Sequence, residues 1–437
     1  MTLPQKILLS LIASFLTGTI VNLGNDGAEL GHHWSGYLIT ICEFTGKLFL
    51  NGLKMVVIPL VFTSIICGVS QIAGDQDFGR LGMKTLLLYS LTGLLAVTIG
   101  LLCVNLLEPG FVDHETKEKI ISSHQDSEHT SLDSAMESAG NGWSSLAQIF
   151  HRMVPPNLFY AAAEGQLLGL ICFGLLFGFF LGRINSQFVE TQLLFWRGLQ
   201  EIILKITHFI LRFTPIGIFG LVTPTFAKCG LETFWLMGAF AFTVFLALGI
   251  HALLILPLLL KFLGGIHFLD HYRAMTPALL TAFSTASSSA TLPVTMECTT
   301  EKVGISKKIT SFTLPLGATL NMDGTALFEC VVVIFLAQFF GIEMGWVTQF
   351  SVILLALLTS VGVAGIPSAS LVAILLILNS VGFEEDAIAI GIGMIFVVDR
   401  ILDMSRTMIN VLGDSCAAAI IGKSEGESGY YSDLIKE

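Results

Sequence analysis

The stretch Phe396-Val397-Val398-Asp399-Arg400-Ile401-Leu402-Asp403-Met404-Ser405-Arg406-Thr407-Met408-Ile409-Asn410-Val411-Leu412-Gly413-Asp414 is set in apolar sequence, with Ile388 to Val398 leading in and Ala417 to Ile421 following. A helix turns about 100° per residue. Positions 399, 403, 406, 410 and 414 therefore share one narrow face. That face carries Asp, Asp, Arg, Asn and Asp, with Thr407 beside it, and the rest of the helix is apolar. A charge at a bilayer centre costs about 2.5–3.5 kcal/mol on insertion scales. Such a stripe is tolerable only against protein, water, ions or a polar ligand. It reads as the wall of a polar site inside a membrane protein.

The bulk composition agrees. The 437 residues are 53% hydrophobic and 13% charged, with mean hydropathy +0.79; soluble domains carry about 25% charged residues. A net charge of −11 argues against nucleic acid as a partner. The eight cysteines are scattered without a C-x-x-C pair, mostly in apolar segments such as those of Cys67, Cys103 and Cys172, which fits core packing. No H-E-x-x-H pattern occurs, so a zinc peptidase has no support.

Spans of about 20 apolar residues are expected at 7–24, 37–70, 85–107, 148–182, 199–225 and 233–263. Met1 to Leu23, with Lys6 ahead of its apolar run, reads as a first span rather than a signal peptide. The loop 108–147 is polar and acidic and should be solvated. Lys6, Arg80, Lys84, Arg183, Arg197, Lys261, Arg273 and Lys423 fall on one side of the alternating spans. Opposite them lie Asp26, Glu29 and the acidic loop. The positive side faces the cytoplasm, which puts both termini there, and the tail from Lys423 should be disordered.

After residue 270 the pattern changes. Ala282-Phe-Ser-Thr-Ala-Ser287-Ser288-Ser289-Ala-Thr291-Leu-Pro293 and Thr359-Ser360-Val-Gly362-Val-Ala-Gly365-Ile-Pro367-Ser-Ala-Ser370 are too polar for ordinary lipid-crossing helices. Each reads as the tip of a re-entrant hairpin, or as a Gly/Pro-kinked span. Each precedes a helix broken by polar residues: Gly317-Ala-Thr319-Leu-Asn321-Met-Asp323-Gly324-Thr325 after the first, the Asp/Arg stripe after the second. Hairpin plus interrupted helix, twice, is the trace of an internal repeat around a midplane site.

These residues have definite chemical uses. A guanidinium grips a carboxylate through two bonds, so Arg406 suits an acidic group. Asp403, one turn away, suits an ammonium. Together they fit a zwitterion with an acidic side chain; an internal Asp403–Arg406 ion pair is the alternative. Asn321, Asp323, Asn410 and Asp414 are hard oxygen donors beside Gly317, Gly324 and Gly413, which would free the backbone to turn carbonyls inward. That is how a small hard cation is held. Three aspartates against one arginine leave the site negative, and an acidic substrate adds to that, so cations should enter with it. Glu329 lies on an apolar helix. Burial favours the neutral carboxyl, so this residue is either a proton carrier or a hydrogen-bonded structural group.

The chain resembles the dicarboxylate/amino-acid:cation symporter family, which includes glutamate and aspartate transporters. The likeness rests on Gly52-Leu-Lys-Met-Val-Val-Ile-Pro59-Leu-Val-Phe, Pro215-Ile-Gly-Ile-Phe, Ser287-Ser-Ser-Ala-Thr-Leu-Pro293, Asn321-Met-Asp-Gly-Thr325, Ala364-Gly-Ile-Pro367 and Asp403-Met-Ser-Arg-Thr407 with Asn410 and Asp414. It implies an all-α multi-pass membrane protein of eight transmembrane helices plus two re-entrant hairpins, built as inverted repeats and working as an elevator in a homotrimer. Scaffold helices 1 and 2 (1–72) would precede helix 3 of the transport domain (73–107), the acidic extracellular loop (108–147) and scaffold helices 4 and 5 (148–226). The rest of the transport domain (227–422) and a cytoplasmic tail (423–437) would follow. The location implied is the cell (inner) membrane.

The resemblance places substrate against Ala286, Ser287, Ser288, Thr325, Gly365, Ile366, Ser370, Asp403, Arg406, Thr407 and Asn410. One sodium ion would lie at Gly317, Asn321, Asn410 and Asp414. A second would meet the carbonyls of Thr319, Ser360, Val361 and Val363, and a third Tyr89, Thr92, Asn321 and Asp323. No cofactor is implied beyond sodium as the coupling ion. Some positions depart from the pattern: Ala286 and Met404 stand where many acidic-amino-acid members carry an arginine, Gly93 replaces a hydroxyl residue, and Ser370 replaces a glycine. Glu329 matches members that move a proton or counter-transport potassium. The expected function is sodium-coupled, and also proton-coupled, symport of L-glutamate and L-aspartate. The alternatives are a C4-dicarboxylate or neutral-amino-acid carrier of the same fold, and a ligand-gated ion channel. A hydrolase using Ser287–Ser289 lacks a nearby base.

Overall fold

The computed structural model describes residues 3–24, 33–73, 76–111, 154–163, 167–184, 186–229, 232–362 and 369–431. Most of the acidic loop lies outside them. Among the described residues the regular structure is helical, with no strand. The first helices are α1 (Leu3–Gly24), α2 (His33–Ala73), α3 (Gln76–Leu107), α4 (Leu158–Ala163), α5 (Leu167–Leu181), α6 (Ser186–Leu211) and α7 (Thr214–Cys229). The 41-residue α2 runs through Pro59. The span expected at 199–225 is two helices, because the chain turns at Arg212–Phe213. Pro215 in the first turn of α7 explains the break: proline disfavours helix in the residue before it, yet suits a helix start.

The second half begins with α8 (Glu232–Ile250), which continues through a π-helical turn (His251–Ile255) into α9 (Leu256–Gly264). Helices α10 (Phe268–Thr285) and α11 (Ser288–Glu297) form a hairpin, and α11 ends in a second π-helical turn (Cys298–Val303). At the hairpin tip Ala286 is left-handed (φ 50°), and Ser287 caps α11 by accepting the Ala290 N–H at 3.2 Å. Next come α12 (Lys307–Leu320) and α13 (Asp323–Phe340), then α14 (Trp346–Gly362) and α15 (Ala369–Val381), which also pack as a pair, and finally α16 (Glu385–Ser424).

Helices α1, α2, α5, α6 and α7 pack mainly on one another. Helices α2 and α7 approach closely at Gly220, whose missing Cβ would stand 2.6 Å from the Cys42 carbonyl oxygen. Helices α3 and α8 to α16 pack around α13 and α16. Apolar on nearly all sides, α13 is buried from Asp323 through Ala337, as a central helix must be. Phe240 on α8 stacks on its Phe335 with ring centroids 4.6 Å apart. Outward-facing Leu48, Met55, Leu102, Phe195, Trp235 and Phe262 give the molecule an apolar exterior. Helical stretches 80–107, 235–264 and 307–340 are each long and apolar enough to cross a membrane.

The structure corrects two expectations. The stripe helix is not interrupted: α16 is one helix of 40 residues. The segment after Lys423 is folded through Tyr431, with Tyr430 and Tyr431 both buried. Left-handed Gly426 and Gly429 (φ 92° and 82°) turn the chain back. The Tyr431 N–H donates to the Val303 carbonyl (3.0 Å), and its hydroxyl meets His271 Nδ1 (2.8 Å). Glu425 binds Lys84 and Arg80, each at 2.6 Å. Those bonds, Lys84 first, hold the Glu425 carboxyl below its ordinary range. The latch therefore contributes at neutral pH and is lost as pH falls through the carboxylate range.

Tyr431→Phe removes the partner of a buried imidazole nitrogen, whose stranding costs about 1–3 kcal/mol. Thermal unfolding of the purified variant in detergent should show a clearly lowered midpoint; an unchanged midpoint would mean the strap contributes nothing.

Candidate functional site

Helix α16 presents its polar face inward, as the 3.6-residue period requires. Asp399, Asp403, Arg406, Asn410 and Asp414 are all buried, Arg406 completely. Arg406 Nη2 donates to Asp399 (3.0 Å) and Asp403 (2.9 Å), and the guanidinium lies 3.7 Å over the Phe328 ring. The internal Asp403–Arg406 ion pair raised as the alternative is thus present. One nitrogen makes internal ion pairs, while Nε and Nη1 are buried without a hydrogen-bond partner among the described residues. Three of the five N–H donors of an arginine are then open to an acceptor. Arg400 brings Nη1 to 3.8 Å from Asp403 Oδ2.

Above Arg406, Asn410 ties α16 to the start of α13. Its Oδ1 accepts the Gly324 N–H at 2.8 Å, and its Nδ2 donates to Thr325 Oγ1 at 3.0 Å. Thr407 Oγ1 donates to the Asp403 carbonyl at 2.9 Å. Ser287, Ser288 and Ser370 are buried, and Ser370 Oγ has no partner. Both helices of hairpin α10–α11 pack against α16, α10 the more extensively. Val363, Gly365 and Ile366 lie outside the described residues.

A second polar cluster forms where the chain unwinds between α12 and α13. Asn321 and Met322 leave helical geometry (ψ 77° and 61°), which exposes the last carbonyls of α12. Asn321 Nδ2 donates to Asp414 Oδ1 (2.9 Å), and Thr92 Oγ1 on α3 donates to Asn321 Oδ1 (3.1 Å). Tyr89 Oη donates to the Thr313 carbonyl at 2.8 Å. Gly317, Gly324 and Gly413 do not adopt positive φ, so they do not redirect carbonyls as expected. Their use is the missing side chain. A Cβ on Gly317 would collide with Asp414 Oδ1 and lie 2.7 Å from Tyr89 Oη; one on Gly413 would lie 2.8 Å from Asp323 Oδ2. Tyr89, Thr92, Gly317, Asn321, Asp323 and Asp414 are thereby brought together. Thr319 is half-buried, with Oγ1 bonded to the Leu316 carbonyl, and Ser360 Oγ bonds the Leu357 carbonyl.

Three neighbours were given no role from the sequence. Asp399 is the second anchor of Arg406; its place on the stripe was the available signal. His251 Nε2 lies 3.2 Å from Asp323 Oδ2, and Thr359 Oγ1 donates to Glu329 Oε2 at 2.8 Å. Neither lies on the helix of its partner, so spacing carries no trace of the contact.

With Asp399 and Arg400 included, four buried aspartates face two arginines, leaving two negative charges in excess when all are ionised. Among the described residues no three His, Cys, Asp or Glu side chains gather as metal ligands. Carboxylates, amides, hydroxyls and free carbonyls suit a hard monovalent cation better than a transition metal.

The comparisons with known proteins point the same way. The chain is 32% identical to the proton/sodium-glutamate symport protein of Bacillus subtilis (strain 168), over 97% of this chain and 94% of that one. It is 30% identical to the proton/glutamate-aspartate symporter of Escherichia coli (strain K12), over 97% and 93%. Against excitatory amino acid transporter 3 of Mus musculus it is 30% identical, over 99% and 88%. Residues 3–424 match the sodium:dicarboxylate symporter family along nearly the whole chain, and the protein belongs to that family of membrane transporters.

Proposed function

We propose that the protein is a secondary active symporter that imports L-glutamate and L-aspartate with sodium, and with protons through Glu329. The observation that carries this reading is Arg406: a fully buried guanidinium with Nε and Nη1 lacking acceptors. A stranded buried donor costs about 1–3 kcal/mol, and a substrate carboxylate relieves that cost. Asp403 beside it accepts the substrate ammonium, and Thr325, Thr407 and Asn410 complete the polar wall. The names of the glutamate and glutamate–aspartate symporters among the relatives favour the same substrates.

Sodium is cargo here. The cluster of Tyr89, Thr92, Asn321 and Asp323 fits it by donor chemistry, and at a neighbouring site the close approach of Asp414 to Gly317 packs oxygen atoms around a small volume. Further sodium ions lie at Gly317, Asn321, Asn410 and Asp414, and at the carbonyls of Thr319, Ser360, Val361 and Val363. The excess negative charge supports coupling. An anionic amino acid enters such a site only with compensating cations.

In this reading α3 and the helices from α8 onward form a transport domain of eight-span topology. Hairpins α10–α11 and α14–α15 are re-entrant, and the second gates the site through Gly365, Ile366 and Ser370. The domain slides against a scaffold of α1, α2 and α4 to α7 within a homotrimer in the cell (inner) membrane, both termini cytoplasmic. The two packing groups support that division.

In proteoliposomes, Arg406→Ala should reduce glutamate uptake at least tenfold, since losing a buried charge pair costs about 2–5 kcal/mol. Arg406→Cys should shift preference toward neutral amino acids. Unchanged uptake by both variants would sink the carboxylate clamp. Gly317→Ala places a methyl against Asp414 Oδ1 and should raise the sodium concentration needed for half-maximal uptake severalfold; an unaltered sodium curve would remove Asp414 from the cation site. Glu329→Gln should keep sodium-driven uptake and lose the stimulation by an inward proton gradient. Persistence of that stimulation assigns the proton elsewhere.

A further inference from the structure

His251 sits in the middle of an apolar stretch, Ile250-His-Ala-Leu-Leu-Ile-Leu-Pro257. The proline explains the local backbone. It has no N–H, and its ring clashes with the carbonyl four residues back in a regular helix. The chain responds by widening one turn: the Leu256 N–H bonds the His251 carbonyl, a π-type bond five residues back. The Ala252 carbonyl, which Leu256 would otherwise bond, receives the Tyr272 hydroxyl from α10. A π turn inside an α-helix is rare and recurs at functional sites. Here a tertiary hydrogen bond holds it in place.

That turn carries the His251 imidazole, fully buried, to Asp323 at the head of α13. An ionised carboxylate only accepts, so Nε2 carries the proton and donates to Oδ2. Among the described residues this is the only side-chain hydrogen bond to Asp323. Oδ1 has no partner. It faces α3, where the Cβ position of Gly93 is 3.6 Å away, and glycine offers it no hydroxyl. Gly413 lets Oδ2 approach to within 2.8 Å of its own Cβ position. The carboxylate is thus tethered at one oxygen by one imidazole, and the other oxygen is left without a hydrogen bond beside Gly93.

We infer that His251 is a positioning residue of the cation site: its Nε2–H fixes the Asp323 carboxylate so that Oδ1 is presented to the sodium ion. It touches neither cation nor amino acid. It sets the orientation of a ligand, and partners of that kind are typically worth about 10–100-fold in metal affinity. The inference rests on the proposed cation site at Tyr89, Thr92, Asn321 and Asp323.

The test uses the full chain, purified in detergent and reconstituted in parallel. The detergent readout is the sodium concentration giving half of the sodium-induced rise in unfolding temperature, without amino acid. The vesicle readout is the sodium dependence of glutamate uptake at saturating glutamate. His251→Leu, similar in volume and without a donor, should raise the sodium requirement about tenfold or more in both. His251→Gln, which keeps an N–H, should recover much of the loss, and Asp323→Asn should weaken sodium binding at least as far as His251→Leu. If Asp323→Asn shifts the sodium curves but His251→Leu and His251→Gln behave alike, the donor role is wrong and the cation site stands. If Asp323→Asn leaves both curves in place, the cation site itself is misassigned and the inference falls with it.

Discussion

Burial of like charges governs this molecule. Asp399 and Asp403 flank Arg406 at 3.0 and 2.9 Å with water excluded, and Asp323 and Asp414 lie on the same inward side with only a histidine and an asparagine as partners. Removing an ionised carboxylate from water costs several kcal/mol even after relaxation. One guanidinium shared between two aspartates, with Arg400 at the edge of Asp403, repays part of that cost; two negative charges remain in excess among the described residues. The fold holds these groups in place regardless, and their arrangement makes sense when mobile cations and an anionic solute share the site.

The two sides of the site are built differently. On one side α16 runs unbroken for 40 residues and acts as a rigid rail, so its five polar positions keep a fixed register. On the other, α12 and α13 part at Asn321 and Met322, and the parted ends expose backbone carbonyls and place Asp323 in the first turn of a helix, where a negative charge is favoured. Continuous helix supplies ordered side chains; broken helix supplies backbone oxygen. Glycines at 317 and 413 let the two approach more closely than any side chain would allow.

Much of this was legible in the sequence because helical period is a one-dimensional signal. The inward face of α16, the break at Asn321 and the turn at Ala286–Ser287 follow from residue order alone. What spacing does not encode is which helix crosses which. His251 reaches Asp323, and Thr359 reaches Glu329, only after α8, α13 and α14 have packed. Gly317 was read as a flexible residue and proves to be a helical one valued for its missing side chain. The tail was read as disordered from its polar composition. Its order comes from Tyr431, which finds His271 and Val303, from Glu425, which finds the cations of α3, and from two left-handed glycines that turn the chain back. Composition averages over such contacts and so misses them.

Asn410 explains how the amino-acid and cation sites can act as one. Its Oδ1 takes the Gly324 N–H and its Nδ2 binds Thr325, so it fixes the first turn of α13, where Asp323 resides. It also stands one turn from Arg406 and one turn from Asp414 on the rigid rail. In the proposed symport, a cation that draws Asp323 and Asp414 inward would therefore act on the same short segment that would present Thr325 to the amino acid. The charges couple as well, because a cation offsets the repulsion an incoming anion meets from the excess carboxylates. Such coupling is reciprocal by thermodynamic necessity. Whatever factor sodium adds to amino-acid affinity in the proposed symport, the amino acid must add to sodium affinity.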